Sequence, residues 1–207
     1  MTIAQKQRKW TVEEFLVWHE QQEERYELIQ GVPMLKRPPV SVTLPGASAP
    51  TMMTGASLRH NKVNSNLSLL LGNQLAGGPC NVFANDAAIE TAADQVRYPD
   101  LVIDCETRID QGYLLSSPKL VIEILSQSTK SFDLLGKLTE YWQVATIAHV
   151  MIVDPDLLRV QLHVRRSGEG PTVDTFSNSE DVIDISEIGV ILKLADIFAG
   201  LLPVTDQ

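Results

Sequence analysis

Positive charge is what this sequence most lacks. Its 17 lysines and arginines face 26 aspartates and glutamates, which leaves a formal charge of -9. That balance excludes a protein that coats nucleic acid through bulk charge, because such binding is driven by neutralising phosphates. It leaves room for an enzyme with a local basic patch, since steering depends on the local field. Cysteine is scarce too, with only Cys80 and Cys105. Two isolated cysteines make no disulfide framework, and without a CxxC pair there is no zinc signature. Both are expected to be buried, reduced and structural, as free cysteine usually is. Met1–Trp10 is polar and basic, with no apolar signal-peptide core. No apolar run approaches the roughly 20 residues a membrane helix needs. A soluble, cytoplasmic protein with no membrane partner is expected. Walker-type loop, nucleophile elbow, HExxH and internal repeat are also missing.

What is present suits one packed domain. The 207 residues are 44% apolar, enough for an ordinary core and too many for a disordered chain. Thr11-Val12-Glu13-Glu14 reads as a capping box opening a short helix. Tyr26–Ile29 and Val32–Leu35 read as strands around Gly31. Residues 37–56 hold Pro38, Pro39, Pro45 and Pro50 and read as a long loop or arm, whether functional or a plain insertion. Helical periodicity returns from Ser57 to Ala76, with Val63, Leu67, Leu70, Leu71 and Leu75 near one stripe, and Gly77-Gly78-Pro79 stops it. Strands are expected at Cys80–Ala84, Ala87–Thr91, Arg97–Asp104, Lys119–Leu125, Ala148–Val153, Arg159–Arg165 and, weakly, Val182–Ile185. Helices are expected at Ser131–Val144 and Leu194–Phe198, and a turn at Asp154-Pro155-Asp156. This order predicts a single α/β domain, 1–207, with helices packed on a mixed sheet.

Two acids break this pattern. Pro99 marks a strand start or a bend, and Asp100 follows it at the head of the apolar run Leu101-Val102-Ile103. Glu123 sits within Leu120-Val121-Ile122-Glu123-Ile124-Leu125, a run expected to be buried on both faces. A lone buried carboxylate is costly unless it is neutralised, paired or coordinated. The segment Cys105–Ser117 lets the two strands lie side by side, so both acids can reach one point. Paired carboxylates suit hard cations, Mg²⁺ or alternatively Mn²⁺, which prefer oxygen ligands. Mg²⁺ takes one or two protein carboxylates and fills its shell with water and phosphate oxygens. Lys137 lies on the inward stripe of Leu134, Leu138 and Tyr141. It reads either as an active-site lysine or as a surface partner of Asp133 one turn earlier.

Together these residues resemble the Uma-type restriction endonuclease family of the PD-(D/E)XK nuclease superfamily. The resemblance rests on Pro99-Asp100, on Val121-Ile122-Glu123-Ile124-Leu125 with Ser126-Gln127-Ser128-Thr129, and on Asp133, Lys137 and Tyr141. Glu24–Gly31, Arg59-His60-Asn61 and Gly78–Phe83 agree with it, so that it runs from about Thr11 to Phe198. It implies a restriction-endonuclease-like core with Asp100 and Glu123 as metal ligands and DNA as substrate. It implies that Lys137 replaces the lysine usual two residues after the strand acid, where this chain has Leu125. Glu27 matches an early acid that assists the metal in related nucleases; an exposed strand glutamate is the other reading. Gln127 stands where the family commonly has proline, the proline-rich stretch is longer than usual, and Pro33 is expected to break the early hairpin or put it on an edge.

Weaker candidates surround this core. His60 and Asn61 open a helix, as caps or as phosphate contacts. Lys36-Arg37 with Arg59 and Lys62 are either a nucleic-acid rim or solvated charges. Asp86 reads as a turn residue, and Arg165-Arg166 as a solvated hairpin end. Two functions follow: a metal-dependent DNA endonuclease, or a catalytically silent nuclease fold kept as a binding or assembly module. Nucleases of this kind often dimerise, and the 37–56 segment is a candidate arm for a homodimer.

Overall fold

Pro99 divides what periodicity reads as one strand, Arg97–Asp104, into two strands of different sheets. The computed structural model describes residues 8–36, 40–42, 51–53, 57–106, 112–126, 132–168 and 170–203. Its elements run α1 (Val12–His19), β1 (Tyr26–Ile29), β2 (Val32–Leu35), β3 (Val40–Val42), β4 (Thr51–Met53) and α2 (Leu58–Leu75). Next come β5 (Asn81–Ala84), β6 (Ile89–Ala92), β7 (Gln95–Arg97), β8 (Leu101–Asp104), β9 (Pro118–Ile124) and α3 (Phe132–Tyr141). The chain closes with β10 (His149–Asp154), β11 (Arg159–Val164), β12 (Thr172–Phe176), β13 (Val182–Ile185), β14 (Val190–Lys193) and α4 (Leu194–Ile197). The elements fall into two units, Met1–Gly55 with Glu90–Arg97, and Ala56–Ile89 with Tyr98–Gln207.

The first unit carries a four-stranded sheet ordered β2-β1-β7-β6. Its β1–β2 hairpin turns through Gln30 and Gly31, whose φ values are +50° and +76°. Two positive φ values make the turn whose twist matches that of the strands. A side chain at Gly31 would meet the Lys9 Cβ at 2.7 Å, so the position requires glycine. Pro33 leaves the hairpin intact, opposite Leu28, because β2 is the edge strand. The Thr11–Glu14 capping box forms at the start of α1, whose Phe15 is fully buried. Within 37–56 the structure has a short antiparallel ladder, Val40–Val42 against Thr51–Met53, where a loop is expected. Arg37 and the four prolines lie outside the described residues.

The second unit carries the mixed six-stranded sheet ordered β12-β11-β10-β9-β8-β5. Strand β9 runs parallel to β10 and antiparallel to β8. Alternation along these strands builds two apolar layers. Leu101, Ile103, Leu120, Ile122 and Met151 pack with Val63, Leu67, Leu71 and Leu75 of α2. Each such side chain contributes about 1.5–3 kcal/mol on full burial. Val102, Val121, Val150 and Ile152 point the other way, with Tyr141 of α3 and half-buried Leu134 and Leu138. Among the described residues no helix is long and apolar enough to cross a membrane.

Several expectations need correction. Cys80 and Cys105 form a disulfide rather than remaining reduced, because the pairing of Asn81 with Asp104 brings the two flanking positions together. Arg165 is exposed, as a hairpin end should be, but it is also anchored: it donates to the carbonyls of Ile147, Trp142 and Val144 and stacks over the Trp142 ring. Helix α3 stops at Tyr141, three residues early, and β12 and β14 lie where no strand is expected.

Candidate active site

The site begins with sheet register. Leu101 of β8 pairs with Ile122 of β9, so one further step along the antiparallel ladder brings Asp100 opposite Glu123. Directly opposed residues share a face, and this is the face that carries Val102, Val121 and Tyr141. Both acids are buried, Asp100 at 4% and Glu123 at 8% exposure, so each must find compensation within the fold.

For Asp100 the backbone and α2 supply it. Its Oδ2 accepts the Ile124 N–H at 2.9 Å, which ties the start of β8 to the end of β9. His60 Nε2 stands 3.2 Å from the same oxygen, with both side chains buried. Ser57 caps α2 by accepting the His60 N–H at 3.2 Å, and so fixes the first turn from which His60 projects. His60 thus belongs to the site as a partner of Asp100.

For Glu123 the compensation comes from α3. Lys137 and Tyr141 stand four residues apart and project from one side of the helix. Lys137 Nζ lies 3.3 Å from Glu123 Oε1, and the Tyr141 hydroxyl donates to the same oxygen at 2.5 Å. Lys137 therefore pairs with the strand acid; the side chain of Asp133, its other expected partner, lies outside the described residues. The sequence places Tyr141 on the inward stripe and in the family pattern but gives it no chemical role, because a tyrosine on an apolar stripe reads as core. Its signal is the four-residue spacing from an inward lysine. Asp104 was also missed: fully buried, it accepts the N–H groups of Glu106 and Ser117 and ties together the ends of the β8–β9 connection.

The remaining candidates lie on β1, in the first turn of α2 and just after β5. Glu27 lies in the first unit, buried on β1, where it accepts from Arg97 Nη1 at 2.7 Å. The exposed-glutamate reading is therefore wrong. Arg59 donates to the carbonyls of Leu202 and Pro155 and pairs with Asp156 at 3.4 Å, which ties α2 to the β10–β11 turn. Asn61 is exposed in the first turn of α2, and its N–H bonds back to the Ser57 carbonyl. Asp86 sits in a turn, its N–H donating to Ala84.

The chemistry of the donor set bears on which cation it would suit. Among the described residues no cluster of three or more His, Cys, Asp or Glu could cage a metal. Two carboxylates on opposed residues would suit Mg²⁺, which keeps water and phosphate oxygens for the rest of its shell. A closed zinc site needs more nitrogen and sulfur donors than Asp100 and Glu123 provide.

Comparison with known proteins places the chain in a family. Two proteins of Synechocystis sp. (strain ATCC 27184 / PCC 6803 / Kazusa) are similar along most of their length. Uncharacterized protein slr1290 is 26% identical over 195 residues, covering 93% of each chain. Uncharacterized protein sll1609 is 27% identical over 165 residues, covering 77% of this chain and 82% of its own. The crystal structure of a putative nuclease belonging to DUF820 from Anabaena variabilis superposes with a TM-score of 0.65 at 18% identity. It covers 91% of this chain and 97% of that one, a likeness of fold. The Uma2 family model, described as putative restriction endonuclease, matches residues 49–194, the span that holds Asp100, Glu123 and Lys137. With most of its length inside that match, the chain belongs to the Uma2 putative restriction endonuclease family.

Proposed function

We propose that the protein is a metal-dependent DNA endonuclease that hydrolyses phosphodiester bonds at Asp100, Glu123 and Lys137. One observation carries this reading: a helix lysine lies 3.3 Å from a buried strand glutamate whose cross-strand neighbour is a second buried acid. Burying three ionisable groups together is costly, and folds keep such groups where chemistry uses them.

Each residue has a defined part. Asp100 and Glu123 would hold Mg²⁺ or Mn²⁺ through their carboxylates. When bound, the cation supplies an activated water and stabilises charge on the phosphate. The Ile124 N–H and His60 keep Asp100 pointing into the site. Lys137 offers a positive charge to the attacking water or to the phosphate oxygen that gains charge. We read Glu27 as a structural partner of Arg97 within the first unit. Arg59 ties α2 to neighbouring carbonyls, and exposed Asn61 beside it is a candidate for DNA contact.

The test is plasmid cleavage with Mg²⁺ or Mn²⁺ by the wild type and by Asp100→Ala and Glu123→Ala. Cleavage by the wild type, lost in both variants, is expected; equal activity in all three sinks the proposal. A second reading, a catalytically silent module, draws on the way Lys137 and Tyr141 already compensate Glu123 without a metal. It expects no calorimetric signal with Mn²⁺ that depends on Glu123.

A further inference from the structure

Two donors meet one oxygen in this site, and they differ in kind. Tyr141 is fully buried, and its neutral hydroxyl reaches Glu123 Oε1 at 2.5 Å. Lys137 reaches the same atom at 3.3 Å, and its side chain keeps 11% of its surface exposed. A hydroxyl donating to a carboxylate makes a charge-assisted hydrogen bond, whereas an N–H···O⁻ contact beyond 3 Å lies at the weak end of the range. The tyrosine ring is wedged in the apolar layer of Val121, Val150, Ile147 and Ile152, so its hydroxyl has little freedom. The lysine has a flexible four-carbon stem that can re-aim its ammonium.

We propose that Tyr141 is the positioning residue that holds Glu123 in its ligand orientation, which frees Lys137 to turn from Glu123 to the phosphate. This rests on the endonuclease reading above and assigns a division of labour within it. Without Tyr141, a departing Lys137 would leave Glu123 with a weaker hold on its orientation. With Tyr141, the glutamate keeps a donor at Oε1 whichever way the lysine points. The tyrosine being neutral, it orients the carboxylate without cancelling the charge a cation needs.

The experiment compares wild type, Tyr141→Phe and Lys137→Met in Mn²⁺ calorimetry, thermal melting without metal, and DNA cleavage. Tyr141→Phe keeps the ring and is expected to weaken Mn²⁺ binding about 10-fold or more, the usual scale for removing a partner of a metal ligand. Its kcat falls by a similar factor, its KM for DNA stays near wild type, and excess Mn²⁺ restores part of the rate. A merely structural tyrosine would lower the melting temperature without that metal rescue. Lys137→Met is expected to lose cleavage while binding Mn²⁺ at least as tightly as wild type. This second variant decides the matter even where Tyr141→Phe folds poorly: if Lys137→Met loses Mn²⁺ binding, the lysine holds Glu123 and the proposal is overturned. Unchanged Mn²⁺ affinity in Tyr141→Phe, with an active wild type, overturns the positioning role and leaves the endonuclease standing. A wild type that neither binds Mn²⁺ nor cleaves overturns both.

Discussion

Lys137 Nζ lies 3.3 Å from Glu123 Oε1, so helix α3 delivers to the strand acid the cation that the strand itself lacks at Leu125. The position of that charge on a helix sets the first prediction. Lys137→Gln should lower the cleavage rate by about 100-fold or more, the scale for losing one preorganised charge at a developing anion. Returning a lysine at the strand position, Lys137→Gln with Leu125→Lys, should recover part of that rate if the site accepts the cation from either element. Single-turnover kinetics at saturating metal read both effects.

The Glu27–Arg97 pair predicts a loss of stability rather than of chemistry. Both side chains are nearly buried and 2.7 Å apart. Removing one partner of a buried pair strands the other charge, at a cost of about 3–5 kcal/mol. Glu27→Ala should therefore lower the denaturant midpoint sharply and leave the Mn²⁺ affinity of the folded protein unchanged. Chemical denaturation followed by calorimetry on the folded fraction separates the two. A lost metal site in a stably folded Glu27→Ala protein would return Glu27 to the ligand set.

The disulfide predicts a thiol count. Cys80 and Cys105 are joined across 25 residues of sequence. Alkylation of the native protein without reductant should therefore add no label, and alkylation after reduction and unfolding should add two. In the chain-entropy model a loop of that size stabilises by about 3.5 kcal/mol, so reductant should lower the melting temperature. Two labels on the unreduced protein would contradict the pairing.

Acid should weaken the fold through its histidines. Burial pushes His149 below its ordinary value of 6.5, the Glu187 carboxylate opposes that shift, and Arg166 adds to it. Burial pushes His163 down in the same way. With folded values below unfolded ones, the unfolded chain binds more protons, so stability rises with pH. The contribution is complete above the unfolded value and is lost as pH falls through 6.5 towards the folded values. Urea midpoints across that window should fall as the pH is lowered in the wild type and fall less steeply in His163→Gln. Equal slopes would remove His163 from the explanation.

Much of the site was legible in the sequence because its acids violate their surroundings. Asp100 behind a proline and Glu123 inside an apolar run are anomalies that burial makes expensive, and an inward lysine among leucines is a third. Their partners were harder to see. Tyr141 fits the apolar stripe of α3, so its bond to Glu123 is not visible until the strand beneath it is known. His60 opens a helix 40 residues before Asp100, and helix starts have ordinary reasons for polar residues. The fold was readable where periodicity was strong, as in α2 and β9. It was not readable in β12, whose Thr172–Phe176 is mostly exposed and gives no apolar alternation. Cysteine pairing needed strand register, which sequence spacing does not contain. Arg97 and Glu27 likewise meet only because β1 and β7 are neighbours.

The central claim is that Asp100 and Glu123 are the two protein ligands of one divalent cation. A crystal of the wild type soaked in Mn²⁺, measured at a wavelength where manganese scatters anomalously, tests it most directly. A single strong peak is expected between the two carboxylates, about 2.1 Å from an oxygen of each, the distance at which small hard cations bind. A fully occupied peak elsewhere on the chain, or none between Asp100 and Glu123 at millimolar Mn²⁺, would contradict it.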